Sequence, residues 1–170
     1  MAKWDSSEER PWINWNLRFV RDLPLSNAAA AFQMLLPGTV NIGNLMESRL
    51  DSEQLRNMTS LRTVAVPIRM NGNYKRCDCD DGYTKETNYV VHHPISEVIQ
   101  LERFYSRRNR YVLVANFGSS PESLQAIGRI YTGGQIVLDT SGGLAELNTE
   151  VLFKQLLLPA GQAVVIKIPK

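Results

Sequence analysis

The residues with the widest chemical reach are two cysteines and two histidines. Cys77-Asp78-Cys79-Asp80-Asp81 precedes His92-His93, a ligand count that suits tetrahedral zinc. The spacing does not suit it. Structural zinc sites separate paired cysteines by about two to four residues, and adjacent histidines rarely both reach one ion. A calcium loop fails as well, because Gly82 arrives early and no Glu stands at the closing position. The expectation is a polar loop that holds no metal. A bridge between Cys77 and Cys79 would close a very small ring, against the usual disulfide geometry. The thiols are therefore expected to be free, or one of them to pair outside the chain.

Aromatic, glycine and basic clusters offer further chemistries. Trp12 and Trp15 would form a sugar platform only with their rings on one face. Three residues apart on a strand, they project to opposite sides, and core or interface packing is expected instead. Gly133-Gly134 and Gly142-Gly143 lack the Lys-Ser/Thr and the helix that a phosphate loop needs. Arg103, Arg107, Arg108 and Arg110 bunch together, yet nineteen basic against seventeen acidic residues leave a net charge of only +2. That balance does not point to nucleic acid, and an exposed hairpin accounts for the bunch. Asn57-Met58-Thr59 is an N-glycosylation acceptor triplet, which makes Asn57 the candidate modification site. No residue is assigned a catalytic, cofactor-binding or metal-binding role.

The 170 residues suffice for one domain, or one domain plus part of another. No apolar run approaches the ~18–20 residues that cross a bilayer. Met1–Arg10 is polar and has no charged-then-apolar signal pattern. Read alone, the chain is expected to be soluble and cytosolic, with no anchor or signal of its own. That expectation does not extend to a longer parent.

Periodicity and breakers divide the chain. Pro11–Leu17 alternates apolar and polar residues and reads as a short strand. Ser26 is a candidate helix N-cap. Ala28–Leu36 reads as a helix with Phe32, Leu35 and Leu36 on its apolar side, ended by Pro37-Gly38. Thr39–Ile42 reads as a second short strand, and Asp51–Thr63 as a helix with Leu55, Met58 and Leu61 at helical spacing. Val64–Met70 is expected to be a strand, with Asn71-Gly72 as a hairpin turn and Lys75–Asn88 as a polar loop. Val98–Tyr105 and Arg110–Phe117 read as strands joined by a basic turn, with Tyr105 and Tyr111 packing across them. A turn over Tyr131–Gly134 leads into a strand over Gln135–Asp139. Phe153–Leu158 and Gln162–Ile168 are expected to pair as a final hairpin across Pro159-Ala160-Gly161. Strands at this spacing indicate an antiparallel sandwich or barrel.

Several of these segments resemble one family. Arg110-Tyr111-Val112-Leu113-Val114-Ala115-Asn116-Phe117-Gly118 resembles a strand from the C-terminal domain of the α-amylase superfamily. Leu156-Leu157-Leu158-Pro159-Ala160-Gly161-Gln162-Ala163-Val164-Val165-Ile166 resembles that domain's closing strand pair. Upstream, Phe32-Gln33-Met34-Leu35-Leu36-Pro37-Gly38-Thr39 resembles the approach to the eighth strand of the superfamily's (β/α)₈ barrel. Arg10-Pro11-Trp12-Ile13-Asn14-Trp15-Asn16-Leu17 sits where the seventh would be. The order of these pieces is similar to that in the heavy-chain ectodomains of heteromeric amino acid transporters.

The resemblance implies a mostly β fold: a C-terminal antiparallel β-sandwich over residues 62–170, preceded by an α/β remnant of the last barrel units over residues 1–61. It implies a non-catalytic, glycoprotein-type ancillary subunit, or a fragment of one. The implied partner is a multi-pass light-chain amino acid transporter, and the implied location is the extracellular side of the cell membrane. Hydrolases of the superfamily end the seventh strand with Asn-His-Asp; Asn16-Leu17-Arg18-Phe19-Val20-Arg21 stands there in this chain. Glycoside hydrolysis needs two carboxyl groups at a set separation across one bond, and no such pair is legible. The alternatives are the C-terminal portion of an α-glucosidase and a free carbohydrate-binding β-domain.

Overall fold

Alternating apolar residues set the centre of the structure. In Arg110-Tyr111-Val112-Leu113-Val114-Ala115-Asn116, Val112 and Val114 point to one face of a strand and Leu113 and Ala115 to the other. All four are fully buried, so the strand is covered on both sides. A computed structural model describes residues 14–16, 26–41, 52–78, 82–123, 132–144 and 146–170.

Among these residues the chain begins with a parallel unit. Strand β1 (Asn14–Asn16) pairs in parallel with β2 (Thr39–Asn41), and helix α1 (Ser26–Leu35) lies between them in sequence. Helices α2 (Ser52–Val64) and α3 (Val66–Arg69) follow, then a hairpin of β3 (Asn73–Arg76) and β4 (Tyr83–Glu86). Next come β5 (Tyr89–Ile95), β6 (Val98–Arg103), β7 (Arg110–Asn116), β8 (Glu122–Ser123) and β9 (Gly133–Asp139). The described chain closes with β10 (Glu150–Leu152), β11 (Leu157–Leu158) and β12 (Ala163–Ile168). Six of the strands form one antiparallel sheet in the order β10-β9-β12-β7-β6-β5. The fold is therefore mostly β, as the sequence suggests.

Each face of the sheet has its own cover. Leu101, Leu113, Ala115, Leu138, Ala163 and Val165 pack beneath Ala28, Ala31, Met34 and Leu35 of α1, Met58 of α2 and Ile68 of α3. The alanines let α1 approach the sheet closely, and its apolar residues recur at helical spacing. On the other face, Val98, Val112, Val114, Ile136, Val164 and Ile166 meet Phe153, Leu156 and Leu158. The register keeps the faces in step: Val164 lies opposite Val114, Val165 opposite Leu113, and Ile166 opposite Val112. The β9–β12 ladder shifts register between Val165 and Ile166. Such a bulge lets Val137 and Leu138 both serve the helix-covered face while Ile136 serves the other.

Several expectations are corrected. Val64–Met70 is not a strand: α2 runs to Val64, and Val66–Arg69 forms the short helix α3. Pro67 sits in its first turn, where the missing N–H costs nothing. Asn71-Gly72 leads into β3 rather than joining two hairpin strands, and the polar segment from Lys75 is largely the β3–β4 hairpin. Gly133 and Gly134 belong to β9 rather than to a turn. The final hairpin across Pro159-Ala160-Gly161 does not form. Phe153–Gln155 is a single 3-10 turn, β11 pairs with β8, and β12 pairs with β7 and β9. Burial explains this rewiring, because β12 is apolar on both faces and is best satisfied inside the sheet. Strand β5, over Tyr-Val-Val-His-His-Pro-Ile, went unread because it forms an edge whose side chains are half-buried or exposed. Trp12 and Tyr131 lie outside the described residues, as does the side chain of Trp15.

One side chain locks the corner where β7 leaves the sheet. Asn116 is fully buried. Its Nδ2 donates to the carbonyls of Ser120 (2.8 Å), Leu158 (3.1 Å) and Pro159 (3.3 Å), and its Oδ1 accepts from Gly118 N (2.8 Å). Phe117 then sets its ring edge-on to Phe32 of α1, 6.3 Å between centroids. Replacing Asn116 with Ala leaves these backbone groups without their partner in a buried corner. Asn116→Ala should destabilise the fold by about 2–3 kcal/mol, read as a lower urea midpoint at unchanged slope. Asn116→Asp should lose nearly as much, because it removes the donor. A loss under about 0.5 kcal/mol, the scale of an ordinary surface substitution, would show that the corner does not depend on this side chain.

Candidate functional site

The most unusual chemistry in the molecule is a buried cation. Arg103, at the end of β6, has no solvent exposure. It extends toward the helical layer, and among the described residues no carboxylate is its hydrogen-bond partner. Nη1 donates to Leu35 O at the last turn of α1. Nη2 shares its two hydrogens among Met70 O (2.6 Å), Pro67 O (2.9 Å), Ile68 O (3.2 Å) and Asn88 Oδ1 (3.4 Å). Asn88, also fully buried, adds its own Nδ2 bonds to Met70 O (2.7 Å) and Pro67 O (3.0 Å). The orphan carbonyls at a helix C-terminus carry partial negative charge, so the ends of α1 and α3 together act as the counterion.

A second arginine completes the arrangement. Arg62 of α2 donates to Met34 O, Leu36 O and Gly38 O, where α1 ends and the chain turns toward β2. Burial, and after it repulsion from Arg62, lowers the Arg103 pKa to about 10, with Tyr89 opposing the shift. Burial alone lowers that of Arg62. Both remain cations at neutral pH. The Arg103 fork holds the ends of α1 and α3 on the sheet, the Arg62 fork ties α2 to the end of α1, and both present little to a ligand. Arg103 Nε is buried without a hydrogen-bond partner among the described residues.

The buried carboxylates are likewise engaged. Glu102 forms an ion pair with Arg110 at 2.5 Å. Asp139 accepts from Ser141 N (2.9 Å), Ser141 Oγ (2.7 Å) and Leu144 N (2.9 Å), which shapes the loop after β9. A cavity of about 420 Å³ opens beside β9 and β10, lined by Thr132, Gly133, Gly134, Glu150, Val151, Leu152 and Pro169. Glu150 is its one carboxylate. The two glycines serve packing: a Cβ on Gly133 would collide with Val151 O, and one on Gly134 would lie 2.7 Å from Lys167 O.

The other residues singled out by sequence separate in space. Asn57 is half-buried in the middle of α2; the neighbouring Met58 is fully buried, and Thr59 Oγ1 donates to Leu55 O at 2.8 Å. His92 and His93 are successive residues on β5, at the point where its register against β6 shifts. Among the described residues no three His, Cys, Asp or Glu side chains gather where they could hold a metal ion. The expectation of free thiols is overturned, because Cys77 is disulfide-bonded. Its partner sulfur lies outside the described residues. The polar loop expected from Lys75 to Asn88 holds the paired strands β3 and β4 on either side of Cys77, whose N donates to Gly82 O at 3.1 Å. Tyr111 packs against the helix-side core, opposite Arg103. Of the four bunched arginines, Arg107, Arg108 and Arg110 are exposed on or beside the β6–β7 turn, while Arg103 is the buried clamp. Strand alternation offered a hint. Leu101 faces the helices, so Arg103, two residues on, must face them too.

No family model and no curated protein matches the chain.

The clamp has a direct test. Arg103→Met preserves bulk but strips a partner from the carbonyls of Leu35, Pro67, Ile68 and Met70. It should cost about 3–5 kcal/mol by chemical denaturation. Arg62→Met, at a half-buried site, should cost about 1–2 kcal/mol. Equal losses would mean that burial of Arg103 adds nothing.

Proposed function

We propose that this chain is a non-catalytic ancillary module, the C-terminal part of a transporter heavy chain on the extracellular side of the cell membrane. It supports surface delivery and stability of a multi-pass light-chain amino acid transporter. The observation that carries the reading is the order of its parts. A parallel β1–α1–β2 unit is followed by an antiparallel domain, in the order expected from the tail of an α-amylase-type barrel and its C-terminal sandwich. The motifs that resemble the family fall on those elements. Phe32–Thr39 ends α1 and enters β2, and Arg110–Gly118 is β7 with its buried Asn116 corner.

Chemistry supports the same reading. Among the described residues the buried carboxylates, Glu102 and Asp139, are bound to their neighbours, whereas glycoside hydrolysis calls for a free pair across one bond. The disulfide at Cys77 fits an oxidising compartment. No helix among the described residues is long and apolar enough to cross a membrane, so this part would act outside the bilayer.

A chimera tests the proposal. A transporter heavy chain whose C-terminal part is replaced by this chain should carry its light chain to the cell surface, measured by surface biotinylation and amino acid uptake. A well-folded chimera that leaves the light chain inside the cell would overturn the reading. So would hydrolysis of α-glucosides by the purified chain that Glu102→Gln or Asp139→Asn abolishes.

A further inference from the structure

The end of the sheet where β6 passes to β7 concentrates exposed positive charge. Arg107 and Arg108 form the turn, with Arg108 N donating to Tyr105 O at 3.1 Å. Two asparagines tie other elements to it. Asn73 Oδ1, at the start of β3, accepts from Ser106 N at 3.0 Å. Asn109 Oδ1 accepts from the backbone of Lys170, just beyond β12, at 3.3 Å. Next to Asn73, Tyr74 is 39% exposed, and Lys85 Nζ lies over its ring at 5.8 Å from the centroid. With Arg110, these cations outnumber the three acids described near the corner: Glu86, opposite Asn73, Glu102, paired to Arg110, and Glu150, which lines a cavity with Pro169. Glu97 and Asp139 lie at the far end of the sheet.

Backbone conformation marks the turn further. Arg107 has φ of +60°, a left-handed conformation that glycine or asparagine adopts far more easily. Local structure therefore does not select an arginine there. The guanidinium groups of Arg107 and Arg108 have no hydrogen-bond or ion-pair partner among the described residues. Free guanidinium forks bind tetrahedral oxyanions in bidentate fashion. The exposed Tyr74 ring beside Lys85 offers a flat apolar face for a sugar ring next to a cation. The disulfide at Cys77 fits an oxidising compartment, where sulfated glycans rather than nucleic acids are the abundant polyanions.

We propose that this corner docks a sulfated glycan chain, with Arg107 and Arg108 gripping sulfates, Lys85 and Lys170 extending the charged track, and Tyr74 stacking on a sugar ring. The surface stands independently of any transporter role, since it needs only this chain.

Calorimetric titration of the full chain with a heparin oligosaccharide tests the assignment. Binding is expected at about 0.15 M salt and should weaken as salt rises, because the contacts are exposed and screened. Arg107→Gly and Arg108→Ser should each weaken it about fivefold, the scale of one surface cation meeting an anionic layer. Arg107→Gly should meanwhile keep or raise the thermal midpoint, which separates lost binding from lost folding. Lys154→Ser, an exposed cation in the 3-10 turn, should change nothing, and desulfated heparin should not bind. Absence of binding at that salt, or unchanged affinity in the Arg107→Gly/Arg108→Ser double variant, would overturn the proposal. Equal binding to a single-stranded oligonucleotide would overturn it in favour of a nonselective polyanion surface. Binding to phosphatidylserine vesicles that heparin does not displace would overturn it in favour of a lipid surface.

Discussion

The structure depends on how a positive charge is held where water cannot reach it. An unpaired buried ion is so unfavourable that it is expected to find a partner or lose its charge. Arg103 keeps its charge with no carboxylate partner among the described residues, because two helices end against it. The final carbonyls of α1 and the carbonyls of α3 and Met70 have no helical donors of their own. Cation and carbonyls therefore satisfy one another, and neither is comfortable alone. This sets the placement of α1 and α3 more sharply than apolar packing can, since hydrophobic contact is non-directional and a guanidinium fork is not.

At the opposite end of the same interface the fastening is neutral. Thr140 Oγ1 donates to Gln162 Oε1 at 2.7 Å, Gln54 of α2 reaches Thr140 O at 2.8 Å, and Asn27 Nδ2 reaches Gln162 Oε1 at 3.3 Å. Ala28 N, in the first turn of α1, donates to Gly161 O at 3.1 Å. Orphan N–H groups at the start of α1 and orphan carbonyls at its end both find partners on the sheet side. The alanine-rich helix is thus pinned at both termini and packed by its alanines between them. Residues far apart in sequence supply these partners, so the helical layer and the sheet hold one another in register.

How much of this the sequence disclosed follows from the range of the forces involved. Helices α1 and α2 and strands β6 and β7 were legible because periodicity and breakers are local signals. The β12 segment was legible as a strand, but its partners were not. A continuous apolar run says that a strand is buried, not between which neighbours. Val66-Pro67-Ile68-Arg69 read as a strand from its β-branched residues, yet a proline suits a helix start equally well. Asn116 stood out as part of Asn-Phe-Gly, but its role as a hub for Ser120, Leu158 and Pro159 depends on contacts up to 43 residues away. Arg103 was read with its exposed neighbours because four arginines in eight positions look like one surface. Strand alternation separates them, and only the approach of helix ends explains why one of them turns inward. The disulfide at Cys77 is illegible for a related reason, since the β3–β4 hairpin beside it is carried largely by polar residues with weak strand signals.

These constraints bear on how the molecule comes apart. Lifting α1 and α3 from the sheet would not merely expose apolar surface. It would strand the Arg103 guanidinium on the sheet side and leave the helix-end carbonyls without donors, both in a partly dry environment. Partial separation therefore carries the desolvation penalty of the charge before water can enter to relieve it. A purely apolar interface would open gradually, at a cost proportional to the area exposed. A helical layer clamped in this way opens late and together with the sheet, so the α/β segment behaves as part of the β-domain's cooperative unit rather than as an appendage.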